Sequence, residues 1–394
     1  MRDSYSLYLH IPFCRHRCAY CDFNTYTGLG DLQGPYAAAL ADEVAQVAGL
    51  APEERPAAHT IFFGGGTPSL MAPEDLARIM DTARRCFQVA QDAEITMEAN
   101  PGTVDAAYLR AVRALGINRL SLGMQSAVSS ELALLEREHE MQTVVEAVEL
   151  SRAAGFENVS LDLIYGLPHQ SLESWRRSLE AALALETEHL SLYCLTIEPG
   201  TPMQRWLRQG QIPAPDPDLA ADQYALACEM LARRGWEHYE ISNWARPGHA
   251  GRHNLTYWRN GAYLGLGAGA HGHAGGYRYE VVKQPRVYLR RLRQNGSNKE
   301  NAQNSFPLSS ATAEAHAVTR REAMSDTMIT QLRLLNEGVE LAAFEARFDC
   351  TVREAFPETI QELVDWGLLV ERGGRLLLSE QGWFLSNQVF YRLV

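Results

Sequence analysis

The sequence predicts an α/β fold: a partial, three-quarter (β/α)6 barrel followed by a helical, winged-helix-like C-terminal domain. Three observations carry this expectation. Six strand-like runs alternate with helical patterns through the first half of the chain. The alternation stops after Leu195. Near the C-terminus, helical patterns lead into two apolar runs joined by Gly373-Gly374, a hairpin signal.

The strand-like runs are Tyr5–His10, Thr60–Phe63, Glu94–Glu98, Arg119–Gly123, Asn158–Ile164 and His189–Leu195. Helical patterns cover Pro35–Leu50, Pro73–Cys86, Val104–Leu115, Met141–Ala154 and Ser171–Ala184. Such alternation argues for parallel strands joined by crossover helices. Six units are too few to close an eight-fold barrel, which leaves a three-quarter barrel or an open doubly wound sheet. A helix is expected over Pro217–Arg234 and a strand over Trp236–Ile241. Asn243–Tyr279 is rich in aromatics, His and Gly, and Gln294–Ser310 is polar and reads as a linker. Helices near Ser325–Leu335, Leu341–Phe348 and Phe356–Trp366 precede the Gly-Gly hairpin. The expected divisions are 1–235 for the barrel, 236–310 for an extension and 311–394 for the C-terminal domain.

The chain of 394 residues has a formal net charge of −12, which argues against nucleic acid as its main partner. Winged helices often bind DNA, but Arg320–Val394 holds 12 acidic and 8 basic residues and no Lys, so packing or a lid role is expected there. No apolar stretch reaches the roughly 20 residues that span a bilayer. Met1-Arg2-Asp3-Ser4 leads straight toward the first strand, with no room for a signal peptide. Cys86, Cys194, Cys228 and Cys350 are scattered singly, which fits a reducing, cytoplasmic setting better than a disulfide framework.

The other three cysteines, Cys14, Cys18 and Cys21, follow the first strand with C-x3-C-x2-C spacing. Thiolates are soft ligands, and three on one loop suit an iron–sulfur cluster. A [4Fe–4S] cluster usually takes four cysteines, so three would leave one iron open to a small molecule. A zinc site lacking its fourth ligand and three unrelated cysteines stay open as alternatives, although the x3 gap breaks the usual C-x2-C knuckle. Functional residues of barrels gather at the C-terminal ends of strands. There the second strand runs into Gly64-Gly65-Gly66-Thr67-Pro68-Ser69, either a ligand cradle or a tight turn. Glu98, Gln125 and Asp162 are polar residues on strands that should be apolar if wholly buried. Strand alternation puts Thr96, Glu98 and Asn100 on one face, as it does Ser121, Gly123 and Gln125, and Ser160 and Asp162. Such a lumen needs a polar ligand or internal ion pairs, since an unpaired buried carboxylate is costly. Arg137 is a candidate partner for a carboxylate of the protein or of a ligand.

The segment Tyr8–Cys21, with Asp22-Phe23 after it, resembles the signature of the radical S-adenosylmethionine (SAM) superfamily. Its version, Y-x-H-I-P-F-C-x3-C-x-Y-C-D-F, is similar to the oxygen-independent coproporphyrinogen III oxidase group, which contains a true oxidase and a heme-chaperone branch. The resemblance runs along nearly the whole chain and supports the partial barrel. It implies a [4Fe–4S] cluster on Cys14, Cys18 and Cys21, with SAM chelating the open iron. It also implies that Gly65, Gly66 and Thr67 contact the SAM amino group. Tyr8, Gly65, Glu98, Gln125, Arg137, Asp162 and Thr196 would line the SAM region.

His253-Asn254-Leu255-Thr256-Tyr257-Trp258 looks like the H-N-x-x-Y-W hallmark of the chaperone branch, and Gly265–His273 is similar to the group's G-x-G-x-G-A-H segment. Histidine is a common axial ligand of heme iron, which makes His253 a candidate heme ligand. A histidine beside aromatics equally fits a hydrogen-bonded core residue. Phe23 stands where the true oxidase has a fourth cysteine, and the oxidase's N-terminal extension has no counterpart here. The expected function is therefore a heme chaperone with a SAM-ligated cluster that delivers heme to acceptor hemoproteins, membrane-associated ones included. The rival is an enzyme that decarboxylates coproporphyrinogen propionates. A winged-helix regulator sensing redox state is disfavoured by the acidic C-terminal segment.

Overall fold

The computed structural model describes residues 4–295 and 305–394. The expected linker at Gln294–Ser310 therefore lies largely outside the described residues, as does the start of the N-terminal segment. Two compact units emerge: 1–230 with 262–316, and 231–261 with 317–394.

The first unit is built on six parallel strands: β1 (Ser4–Ile11), β2 (Ala57–Gly65), β3 (Gln88–Ala99), β4 (Arg119–Gln125), β5 (Val159–Tyr165) and β6 (His189–Cys194). They lie side by side in chain order. A doubly wound sheet reverses its strand order at a switch point. None occurs here, so the partial-barrel expectation stands over the doubly wound one. The intervening helices are α1 (Gln33–Leu50), α2 (Pro73–Cys86), α3 (Ala106–Ala114), α4 (Ser129–Leu134), α5 (Met141–Ala153) and α6 (Leu172–Ala184). Leu7, Leu9 and Ile11 on β1, Ile61 and Phe63 on β2, and Leu120 and Leu122 on β4 are fully buried. The alternate residues form the lumen. In register across it, Glu98 pairs Ser121, Ser121 pairs Ser160, and Ser160 pairs His189. Helices α7 (Pro202–Arg208) and α8 (Pro217–Ala232) follow β6.

The expected middle segment 236–310 is split between the units. Its first part, with the hairpin of β7 (Glu237–Glu240) and β8 (Asn243–Ala245) and helix α9 (Arg252–Trp258), belongs to the second unit. Its later part returns to the barrel: β9 (Tyr263–Leu266) pairs parallel to β1, and β10 (His271–Ala274) and β11 (Tyr277–Val281) extend the sheet antiparallel. Helix α10 (Pro285–Asn295) and β12 (Thr312–Ala317) complete this edge. The split follows the pairing. Buried Glu240 meets Arg333 (3.0 Å) and Asn260 meets Thr327 (3.1 Å), whereas Tyr288 and Ser309 turn to Glu43 of α1.

In the second unit, α11 (Arg320–Gln331), α12 (Leu341–Phe348), α13 (Val352–Ala355) and α14 (Pro357–Asp365) pack with a three-stranded sheet. That sheet holds β13 (Val339–Glu340), β15 (Arg375–Leu378) and β14 (Leu369–Arg372), in that order. Met328, Phe344, Ile360, Leu363 and Leu376 form its core. Helices leading into a small hairpin-bearing sheet are what the C-terminal sequence pattern predicts.

Candidate functional site

β1 ends at Ile11 and delivers the chain into the cysteine loop. The returning segment Asn24–Tyr26 runs beside the start of that loop. Tyr26 N–H donates to Pro12 O (2.7 Å) and Cys14 N–H donates to Tyr26 O (3.0 Å). Each cysteine sulfur has a side-chain neighbour, and Thr25 serves both Cys14 and Cys21. Thr67 Oγ1 donates to Cys14 Sγ (3.6 Å), Arg137 Nη1 donates to Cys18 Sγ (3.4 Å), and Thr25 Oγ1 lies 4.0 Å from Cys21 Sγ. All three thiols are half-buried and free of disulfides. Burial pushes the Cys14 and Cys21 thiols up, with Thr67 pulling Cys14 back in part.

The loop faces a cavity of about 380 Å³ at the C-terminal ends of the strands, within the size range of small-molecule sites. Cys14, Cys18, Cys21, Gly65, Gly66, Thr67, Glu98, Gln125, Arg137, Asp162 and Thr196 all line it. The backbone of Gly66 runs so close to the cysteine loop that a Cβ there would stand 2.6 Å from Phe13 O. Its N–H donates to Ile11 O (2.8 Å), which locks β2's end against the loop.

Two sequence candidates lie off this wall. Tyr8 sits on β1 with its hydroxyl 3.0 Å from His10 Nδ1, and His10 Nε2 lies 3.0 Å from Asn24 O. A carbonyl only accepts, so Nε2 carries the proton and the Tyr8 hydroxyl donates to Nδ1. Burial holds His10 neutral, its pKa pushed down to about 4. His253 lies on α9 in the second unit, 1% exposed, with Nε2 2.8 Å from Tyr257 Oη.

The charges in the cavity are unusual. Burial pushes Glu98 up to about 7, against a hydrogen bond from Gly65 N–H to Oε2 (2.9 Å). Burial likewise raises Asp162, which accepts from Ser121 Oγ at 3.1 and 3.0 Å. Arg137 donates to Gly123 O (3.0 Å) and to Asn100 Oδ1, and its buried Nε has no partner among the described residues. Gln125 ends β4 with φ of 65°, a left-handed conformation that a non-glycine residue adopts at a cost and that recurs at functional sites.

The sequence reading missed several wall residues, among them Tyr20, Tyr193, Cys194 and Glu198. It also missed Arg119, which is 3% exposed and acts electrostatically on both Glu98 and Asp162. An arginine opening an otherwise apolar buried strand was the available signal.

The Radical SAM superfamily model matches residues 8–182, and the HemN C-terminal domain model matches 318–385. The chain is 36% identical to the heme chaperone HemW of Bacillus subtilis (strain 168), covering 98% of each chain. It is 37% identical to the heme chaperone HemW of Mycobacterium tuberculosis (strain ATCC 25618 / H37Rv), covering 99% of this chain and 95% of the relative. The chain belongs to the HemW family. Its fold is also that of coproporphyrinogen III oxidase (HemN) from Escherichia coli, with a TM-score of 0.84 at 24% identity over 100% of this chain and 90% of the other. Within the HemW family the radical SAM domain implies SAM and a [4Fe–4S] cluster. The donor set fits: three half-buried thiols on one loop, facing a cavity, with cationic Arg137 beside them. Among the described residues no three His, Cys, Asp or Glu side chains are grouped as ligands of one metal ion. Among the described residues, too, no helix is long and apolar enough to cross a membrane.

Proposed function

We propose that this protein is a heme chaperone that binds heme and a SAM-ligated [4Fe–4S] cluster and delivers heme to acceptor hemoproteins. The observation that carries the reading is the joint one of whole-length likeness to HemW relatives and a cysteine loop facing a cavity that Glu98, Asp162 and Arg137 line. Cys14, Cys18 and Cys21 would hold the cluster. Gly65, Gly66, Thr67, Glu98, Gln125, Arg137, Asp162 and Thr196 would hold SAM, with Tyr8 behind them. When bound, cluster and SAM supply one-electron chemistry at the cavity.

The chain's own residues supply orientation and charge. Glu98, ionised above about pH 7, can accept from a ligand ammonium. The Arg137 guanidinium can meet a ligand carboxylate from its unpartnered Nε side. His253 remains the candidate for heme iron. To ligate through Nε2, the ring must give up Tyr257.

The decisive experiment pairs two assays on anaerobically reconstituted protein. Heme titration should give a shifted Soret band. Incubation with coproporphyrinogen III, SAM and reductant should give no protoporphyrinogen IX above a no-SAM control. Turnover in the second assay would replace the chaperone with the oxidase, and absence of heme binding in the first would remove the chaperone.

A further inference from the structure

We infer that Asn24 is a positioning residue for the cluster loop, and that the glycine-rich strap around Gly267–Gly269 holds it in place. The inference rests on the assignment of Cys14, Cys18 and Cys21 as cluster ligands. It gives a role to the G-x-G-x-G-A-H segment, whose residues Gly267–Gly269 lie outside the cavity wall.

Asn24 follows the third cysteine by three residues and joins the two ends of the loop. Its carbonyl accepts from His10 Nε2. Its side-chain Nδ2 donates to Ala268 O and to Lys283 O, both at 2.9 Å. Its Oδ1 accepts from the Tyr26 hydroxyl (3.1 Å). The amide thus uses both its donors on the strap region and its acceptor on the loop. Tyr26 supports the same link, since its hydroxyl lies 3.2 Å from Lys283 O as well.

The strap is itself anchored in the core. Gly267 N–H and the Tyr288 hydroxyl both donate to Glu43 Oε2 at 2.7 Å, and the Ser309 hydroxyl donates to Oε1 at 2.6 Å. Ala268 N–H donates to the Tyr36 hydroxyl (2.7 Å), which in turn donates to His10 O (2.8 Å). Every contact lies within the first unit. Gly269 makes the approach possible: its φ is +85°, and a Cβ there would stand 2.2 Å from Asn24 Nδ2. Cys21 feels the clamp through Thr25, the residue next to Asn24, whose hydroxyl lies 4.0 Å from the sulfur. Groups that orient ligands from outside the coordination shell typically govern metal retention on the order of 10–100-fold.

The test compares wild type with Asn24→Asp, which keeps the shape but loses both donors, with Asn24→Ala, and with Gly269→Ala. In metal-free protein, alkylation of Cys14, Cys18 and Cys21 is followed residue by residue by mass spectrometry, with Cys86 as internal control. In reconstituted protein, chelator-driven loss of the cluster band and the electron paramagnetic resonance line shape of the reduced cluster are recorded. Faster alkylation at Cys21 with Cys86 unchanged, chelator loss about tenfold faster, and an altered line shape in all three variants are expected. Wild-type rates and spectra in both Asn24 variants would overturn the positioning role. Acceleration at Cys86 as well, with a lowered melting temperature, would overturn it too, by showing general destabilisation. A wild type that takes up no cluster fails the cluster assignment instead, and is told apart by that measurement alone.

Discussion

The cysteine loop and the His253–Trp258 helix are both short, recognisable motifs, yet they stand in opposite surroundings. The loop presents half-buried sulfurs to a cavity of about 380 Å³, beside an arginine whose Nε is unpartnered. The helix turns its histidine inward to Tyr257. Its Trp258 ring carries the Arg333 guanidinium at 4.2 Å, and Arg333 reaches buried Glu240 at 3.0 Å. One motif leaves donors open to something absent from the chain. The other turns its histidine to Tyr257, although the Trp258 indole Nε1 is buried with no hydrogen-bond partner among the described residues. A sequence hallmark therefore marks a constraint, and only its surroundings tell a binding constraint from a packing one.

The comparison breaks first at the cysteines. Cys14→Ser, Cys18→Ser and Cys21→Ser should each abolish or nearly abolish cluster uptake, read as iron, sulfide and the visible charge-transfer band. Serine at Cys86, Cys194, Cys228 or Cys350 should leave uptake intact, and equal loss from any of these four would undo the contrast. Arg333→Met tests the packing side. Glu240 is 0% exposed, so removing its cation should cost about 3–5 kcal/mol in denaturant unfolding. An unchanged midpoint would show that the triad around Trp258 is not structural.

Smaller effects sharpen the cavity side. Glu98→Ala and Asp162→Ala should weaken SAM binding by roughly ten- to a hundredfold, the span of 1.4–2.8 kcal/mol expected for charge-assisted hydrogen bonds, while leaving cluster content as in wild type. Unchanged affinity in both would assign the lumen to another ligand. Because Glu98 is held near 7, its carboxylate forms as pH rises through that value, so SAM affinity should climb from pH 6 to 8. Glu98→Gln should flatten that climb. Smallest is Tyr257→Phe, which removes the hydroxyl facing His253 and should cost about 1 kcal/mol of stability. A change of the heme Soret band in His253→Ala would move His253 to the binding side, whereas an unaltered band leaves it a packing residue.

The six-strand core was legible because parallel strands between helices carry strong apolar runs, and the structure returns all six, β1 to β4 with longer ends, such as β3 beginning at Gln88, β5 shifted by one residue and β6 ending at Cys194. The cysteine loop and the strand-end carboxylates were legible because chemistry of that kind is costly in a core without a purpose. The return of β9–β11 to the barrel edge was not. Those strands are short and glycine-rich, and no local pattern says that Tyr263 pairs beside Ser6. Helix α4 at Ser129–Leu134 was missed for a related reason: six residues are under two turns, too short for periodicity to show. The division of 236–310 between two units was illegible because Glu240–Arg333 and Tyr288–Glu43 are long-range pairs, set by burial.

The position of β1 between β2 and β9 has a consequence for how the protein is made. The strand that carries the cluster loop is made well before β9, since that partner is encoded after residue 262. Until then β1 presents an unsatisfied row of backbone donors and acceptors, a template for wrong pairing. Nascent chains stopped before β9 should therefore aggregate or recruit chaperones far more than chains stopped after β11, and cluster insertion should be confined to the longer ones.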